Sequence, residues 1–314
     1  MATEVTLENF ARAETDRMFA GLVQQAGGVG KWHHNRQPTA IDNQPVIRMN
    51  RDTLYSMAVV DITGGAVLTL PDAGDRYLSV MVVNEDHYIN RIFHDPGEHP
   101  VTVEEFDTPY VLLAARILVD PQDPADLAEV HALQDGLGLR AAAARMFAMP
   151  DYDPASFEAT RNEVAAMAEG SFSAAGAFGR RDEVDPKLHL IGTALGWGGL
   201  PEHEASYVIR ADSLAVGEYR LIVRDVPVDA FWSISVYNRD GFFEPNDLGA
   251  YSVNSVTAQR DPDGSVAVHF GGCRDGRPNC LPVADGWNYA IRLYRPRPEI
   301  LDGSWTFPDH ERIS

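Results

Sequence analysis

The chain has 314 residues, 45% of them hydrophobic, and its formal net charge at pH 7 is −20. This length allows two core-bearing units or one large composite domain. The negative charge argues against nucleic-acid partners, which need clustered Lys and Arg, and against docking on anionic membranes.

The N-terminal residues predict an amphipathic helix, with an apolar stripe that includes Phe10, Phe19 and Leu22. The early acidic residues and the absence of an apolar stretch argue against a signal peptide, so we expect a cytoplasmic protein. After a Gly-rich loop, short alternating apolar runs separated by turn residues predict strands up to about residue 120.

Helical spacing of apolar residues begins after Pro121, and β patterns return after the Gly-rich run GTALGWGGLP. We therefore expect a mainly β, α+β multi-domain chain with a helical insert. Its core is predicted to be two antiparallel β-sandwich or jelly-roll-like units. The predicted segments are an N-terminal helix over 1–30, a first β-rich domain over 31–120, a helical segment over 121–200 and a C-terminal β-sandwich over 201–314.

A weak internal repeat links the two halves. Residues 75–88, DRYLSVMVVNEDHY, align without a gap with residues 229–242, DAFWSISVYNRDGF, at an offset of 154. Asn84 recurs as Asn238, whereas His87 is replaced by Gly241. A repeat of such a long period indicates two related β-units, and the first copy is chemically richer.

Long motifs give the chain a family resemblance. They are PVIRMNRDTLYS at 45–56, NEDHY at 84–88, and the second-half runs DVPVDAFWSISVYNRDGFFEPN and NCLPVADGWNYAIRLYRPRPEILDGSWTFP. These motifs resemble the bacterial proteins that carry the paired domains of unknown function 1254 and 1214. The resemblance extends from about Arg12 to Pro308. It implies a β-rich N-terminal domain, a helical segment and a C-terminal β-sandwich, without a set of catalytic residues to transfer.

Glu85 and His87 are the first candidate catalytic pair. They lie two residues apart at a predicted strand end and share one face if the strand continues that far. A carboxylate beside an imidazole orients it and raises its basicity, as in a general-base relay. The alternative is a polar strand end in which His87 is hydrogen-bonded within a wall of the fold.

A second polar cluster precedes a predicted strand. It comprises Arg48, Asn50, Arg51, Asp52 and Tyr55. Arginine can hold a carboxylate through two hydrogen bonds, and Tyr55 can donate to a developing oxyanion as a third catalytic residue. The alternative is that Asp52 or Asn50 caps the turn while an arginine pairs internally.

Aromatic residues of the second half, Trp197 and Tyr237 among them, either line a ligand pocket or pack in the core. The sequence requires no cofactor. His87, His94 and His99 are candidate metal ligands, although their spacing matches no familiar metal motif. Cys273 and Cys280 bracket a turn-rich loop, which closes as a disulfide in an oxidising setting and stays reduced in the cytosol.

Two functions follow from these candidates. The first is an enzyme acting on a small organic molecule, in particular a hydrolase with His87 as general base on water. No G-x-S-x-G motif occurs, so an ordinary serine hydrolase is not expected. The second is a non-catalytic binding or assembly module in which the same polar residues are structural. Under either function the expected partner is a small-molecule ligand, and both functions are compatible with a homo-oligomer.

Overall fold

The computed structural model of this chain describes residues 2–44, 47–168 and 174–313. The described chain is mainly β, with antiparallel sheets and several helices, which confirms the predicted fold class. None of its described helices combines the length and the apolar character required to span a membrane.

The chain divides into two compact units. The first comprises residues 1–36, 54–118 and 125–202, and the second comprises 37–53, 119–124 and 203–314. The predicted boundaries differ from this division, because the helical segment joins the first unit instead of standing alone. Residues 37–53 join the second unit, where the backbone carbonyls of Arg48 and Met49 accept hydrogen bonds from Arg292.

Strands and helices alternate irregularly along the first part of the chain. They are α1 (Phe10–Ala26), β1 (His33–His34), β2 (Thr53–Asp61), β3 (Ala66–Leu70), β4 (Leu78–Asn84), β5 (Ile89–Phe93), β6 (Gly97–Val101), α2 (Val103–Phe106), β7 (Tyr110–Leu118), α3 (Pro124–Asp135), β8 (Gly138–Ala141), α4 (Pro154–Ala166) and α5 (Pro186–Leu195).

The remainder is almost entirely β. Its elements are β9 (Ala205–Leu214), β10 (Tyr219–Val223), β11 (Trp232–Tyr237), β12 (Ser252–Asn254), β13 (Val266–Phe270), β14 (Cys280–Leu281), β15 (Trp287–Tyr294), α6 (Pro298–Leu301) and β16 (Glu311–Arg312). Cys273 and Cys280 form a disulfide across the short helical turn Cys273–Asp275, which resolves the choice that the sequence left open.

Both units are built on one plan. The first unit has a sheet in the order β1-β2-β7-β4-β5 and a second in the order β6-β3-β8. The second unit has the corresponding orders β9-β15-β11-β12 and β13-β10-β16, with β14 added at one edge. The predicted pair of related β-units is therefore confirmed at the level of topology.

Strands of two sheets supply the core of the second unit. Leu221 on β10 and Val268 on β13 come from one sheet, and Ile234 on β11 and Ile291 on β15 come from the other. All four belong to one buried apolar cluster. A two-sheet sandwich buries one face of each strand, and burial alternates in this way along β10 and β13. On β11 and β15 every residue is buried, so both faces of these strands are covered.

Local side-chain caps begin two of the helices. Asp153 accepts a hydrogen bond from the Ser156 amide at the start of α4, and Asp185 accepts from the Lys187 and Leu188 amides at the start of α5. A proline occupies the first turn of each of these helices, where a missing N–H costs nothing. Residues 169–173 of the predicted helical segment lie outside the described residues.

The aligned repeat folds into the same turn twice. Asn84 ends β4 and its Oδ1 accepts two backbone amides of the following turn, and Asn238 follows β11 and does the same. In each turn the third residue after the asparagine is left-handed: φ is 65° at His87 and 89° at Gly241. Glycine adopts that conformation freely, whereas histidine does so under strain.

Replacing Asn84 with alanine is expected to lower the free energy of unfolding by about 2 to 3 kcal/mol, because two turn amides and the Phe106 carbonyl lose their partner in a buried place. Asn238→Ala is the matched control at the partly exposed asparagine of the second turn. It should lower the free energy of unfolding by about half as much. Urea unfolding measures both. Equal losses would contradict the difference in burial.

Candidate functional site

His87 is enclosed by the protein and has no exposed surface. Its Nδ1 lies 2.7 Å from Thr193 Oγ1, and that hydroxyl donates to the His189 carbonyl. Since the threonine proton is already used, Nδ1–H is the donor to Thr193. Nε2 accepts a hydrogen bond from the Gly198 amide at 2.9 Å. The imidazole is therefore a neutral Nδ1–H tautomer with both nitrogens engaged.

Rings surround the His87 imidazole. Trp197 stacks on it at 5.3 Å with an interplanar angle of 13°, and Phe178 meets it edge-on at 5.9 Å. Burial lowers the pKa of His87 well below its ordinary value, and nearby His189 lowers it further. The Trp197 indole N–H donates to Thr15 Oγ1, so this predicted ligand-binding residue packs within the first unit.

Glu85 does not pair with His87, which corrects the relay expected from their spacing. The Glu85 Oε2 accepts the Tyr110 amide at 3.0 Å, and Oε1 lies 4.0 Å from an Arg12 nitrogen. The alternation rule fails because β4 ends at Asn84 and the chain turns through the left-handed His87. Burial raises the pKa of the Glu85 carboxyl.

A group of acids that the sequence did not single out lies near Glu85. Asp16 on α1 is almost fully buried, and Tyr152 donates to its Oδ2 at 2.7 Å. Burial raises the pKa of Asp16, and Asp86 forms a 2.7 Å ion pair with Arg12. The available sequence signal was the spacing of Arg12 and Asp16, which lie four residues apart on α1 and so share one face of the helix. Their partners come from segments that are distant in sequence.

Tyr55 lies on β2 beneath a guanidinium. The Arg116 side chain lies over its ring at 5.4 Å, and Arg116 donates to the Gly198 carbonyl at 2.8 Å. A cation above an aromatic face is a stabilising contact. Tyr55 is therefore placed in the first unit together with His87 and Trp197.

The predicted substrate-binding cluster lies in the second unit instead. Asp52 is 1% exposed, and its Oδ2 accepts from Ser233 Oγ at 2.6 Å. Burial raises the pKa of Asp52, and the positive charge of Arg292 is the strongest opposing influence. Arg292 is itself buried and donates to Ser235 Oγ and Tyr237 Oη at 2.9 and 2.7 Å.

The neighbours of Asp52 also make internal contacts. Asn50 donates to Tyr294 Oη at 2.9 Å, and Arg51 donates to the Thr39 carbonyl. Arg48 is left-handed, with φ of 52°, and its amide donates to the Gly241 carbonyl. These contacts agree with the alternative in which the polar residues of this cluster stabilise the turn and pair internally.

Tyr237, the remaining predicted ligand-binding aromatic, is buried in the second unit. Its hydroxyl donates to the Met49 carbonyl at 2.9 Å, and its ring packs against Phe243 at 4.8 Å. This is the core-packing alternative considered for the aromatic residues. Arg292 was missed by sequence reasoning, although an arginine inside the apolar strand NYAIRLY was a visible signal.

The candidate metal ligands are not brought together. His99 Nε2 contacts the Asp95 carbonyl at 2.8 Å, and His94 lies beside the Tyr77 ring at 6.0 Å. Within residues 2–44, 47–168 and 174–313, no three His, Cys, Asp or Glu side chains are arranged to hold a metal ion. His87 uses both ring nitrogens in the contacts described above.

Two protein-family models match the sequence. The model described as protein of unknown function DUF1254 matches residues 29–97, and the one described as protein of unknown function DUF1214 matches residues 213–298. A search of curated proteins found no match.

Solved structures share the fold. The VPA0106 protein from Vibrio parahaemolyticus is 19% identical, with a TM-score of 0.76 and coverage of 98% of both chains. An uncharacterized protein from Burkholderia cenocepacia is 16% identical, with a TM-score of 0.52 and coverage of 98% of this chain and 87% of its own. At these identities the similarity establishes the fold alone.

Proposed function

This chain pairs an N-terminal DUF1254 domain with a C-terminal DUF1214 domain, as its motifs predicted, and from that premise we propose that it is a small-molecule-binding module whose predicted catalytic motifs are structural. The observation that carries this proposal is the double hydrogen bonding of His87, to Thr193 and to the Gly198 amide.

A general base must offer a lone pair to the proton that it removes. The Nε2 lone pair of His87 accepts a backbone N–H, and Nδ1 carries the proton that Thr193 accepts. The lowered pKa makes this imidazole a weaker base than free histidine. These features support a positioning role, in which His87 joins the β4 turn to α5 and to the Gly198 loop.

The Asp52 cluster supports the same proposal. Asp52, Asn50 and Arg51 each bind residues of their own unit, and Arg292 is buried in the same unit. A buried charge that loses its partner is strongly destabilising, so such a network holds a fold together. A ligand would then contact residues on the faces of the sheets other than Asp52, Asn50 and Arg51.

A hydrolase is the second candidate, with carboxylic acids in place of His87. It is favoured by the raised pKa values of Glu85 and Asp16, two nearly buried acids beside Arg12. A carboxyl group with a raised pKa can deliver a proton near neutral pH, as general acids do.

Ligand-observed NMR against a panel of small acids, amides, amines and esters tests the first proposal, together with hydrolysis of p-nitrophenyl butyrate. We expect binding of at least one panel member and no hydrolysis above the buffer rate. Turnover that His87→Ala removes while the fold is retained would overturn the proposal. Turnover that Glu85→Gln removes and His87→Asn retains would establish the second candidate instead.

A further inference from the structure

Each unit has one buried arginine opposite a serine on the neighbouring strand. Arg116 on β7 pairs with Ser79 on β4, and Arg292 on β15 pairs with Ser233 on β11. Directly opposite residues of an antiparallel pair project from the same face of the sheet. Ser79 and Ser233 are also identical positions of the internal repeat.

The two arginines extend in the same direction along their sheets. Arg116 Nη1 approaches Met81 Sδ at 3.9 Å, and Arg292 Nη1 donates to Ser235 Oγ at 2.9 Å. Met81 and Ser235 are equivalent by the same offset of 154. The serine–arginine pair is therefore a structural feature that recurs in both units.

In the second unit this device holds a carboxylate. Ser233 Oγ donates to Asp52 Oδ2 at 2.6 Å, and the Arg292 charge counteracts the effect of burial on the pKa of Asp52. A hydroxyl and a guanidinium on one face form a suitable receptor for a carboxylate, since both supply donors. Here the chain provides the carboxylate from its own segment 48–53.

In the first unit the hydroxyl of the equivalent serine is unsatisfied. Ser79 is 0% exposed, and its Oγ has no hydrogen-bond partner among the described residues. Leaving a buried hydroxyl without a partner costs about 1 to 3 kcal/mol, so such groups are rare and call for a partner. Arg116 beside it is 8% exposed, which leaves the guanidinium in limited contact with solvent.

We propose that Ser79 and Arg116 bind the carboxylate of a small organic acid, which occupies the place that Asp52 occupies in the other unit. The rest of that acid is apolar, because the polar Ser235 and Tyr237 of the second unit are replaced by Met81 and Val83 on this face. This assignment rests on the proposed binding function and names its ligand class.

Titration with sodium butyrate tests the site, with butyramide as an uncharged control of the same size. We expect butyrate, and not butyramide, to bind the full-length protein in calorimetric titrations. Ser79→Ala should weaken butyrate binding about tenfold or more, because a hydrogen bond to a charged group is lost. Ser233→Ala removes the equivalent hydroxyl of the second unit, where Asp52 supplies the carboxylate. This variant should leave butyrate affinity unchanged.

Equal binding of butyrate and butyramide, or equal butyrate affinity of Ser79→Ala and the wild type, would overturn the site. If butyrate fails while a neutral member of the NMR panel binds, the carboxylate site is wrong and the binding function stands. If no member of the panel binds either, both proposals fail.

Discussion

Replacing Asp52 with alanine is expected to lower the free energy of unfolding by about 3 to 5 kcal/mol, because the buried Arg292 charge then loses its opposing carboxylate. Ser233 also loses the acceptor of its 2.6 Å hydrogen bond. Urea unfolding followed by circular dichroism measures the change.

Two further variants make this result specific. Asp247→Ala removes an exposed carboxylate of the same unit and should change stability by less than about 0.5 kcal/mol. The double variant Asp52→Ala/Arg292→Met removes both charges, and should recover part of the loss because no unpaired buried charge remains. A single Asp52→Ala variant as stable as the wild type would refute the structural role of the cluster.

Replacing His87 with alanine is expected to lower the free energy of unfolding by about 3 kcal/mol. The change opens a cavity beneath Trp197, leaves the Gly198 amide without its acceptor and removes the donor to Thr193 Oγ1. Thermal and urea unfolding measure this loss. His33→Ala, at a partly exposed histidine, is the control and should have little effect. An unchanged stability for His87→Ala would contradict the proposed positioning role.

His87 also predicts a pH dependence of stability. The unfolded imidazole binds a proton near pH 6.5, whereas burial lowers the folded pKa well below that value. The unfolded state therefore binds more protons as the pH falls below about 6.5, and the stability due to neutral His87 is lost progressively. The expected slope is about 1.4 kcal/mol per pH unit for this one group.

The raised pKa values of Asp16 and Glu85 act in the opposite direction, since these folded carboxyls take up protons more readily than unfolded ones. The difference between wild type and His87→Asn isolates the imidazole, because asparagine tolerates a left-handed backbone. Unfolding at intervals from pH 7 to pH 5 measures it. Parallel stability curves for the two proteins would show that residue 87 does not titrate as inferred.

Much of the fold could be predicted because its signals are local. Alternating apolar runs identified the strands, and the repeat around Asn84 and Asn238 identified two strands that occupy equivalent places in their sheets. The turn after each strand follows from the asparagine side chain, which satisfies nearby amides. The division of the chain into units was harder, because it depends on contacts between residues far apart in sequence.

The candidate site was only partly predictable for the same reason. The sequence drew attention to His87, but its partners Thr193 and Gly198 lie more than 100 residues away along the chain. Strand periodicity then suggested Glu85 as its partner, although the turn had already begun. The buried Arg116 and Arg292 were readable only as charged residues inside apolar strands, and their serine partners depend on strand register.

Each unit is assembled from three separate segments of the chain, so a single cut cannot separate the two units. A fragment that begins at residue 203 retains Ser233 and Arg292 but omits Asp52, which belongs to the same unit. A fragment that ends at residue 202 carries the segment 37–53 without Ser233 and Arg292, to which this segment is hydrogen-bonded. The piece that begins at residue 203 therefore lacks segments of its own unit, and we expect it to become fully ordered only when it is mixed with the piece that supplies residues 37–53.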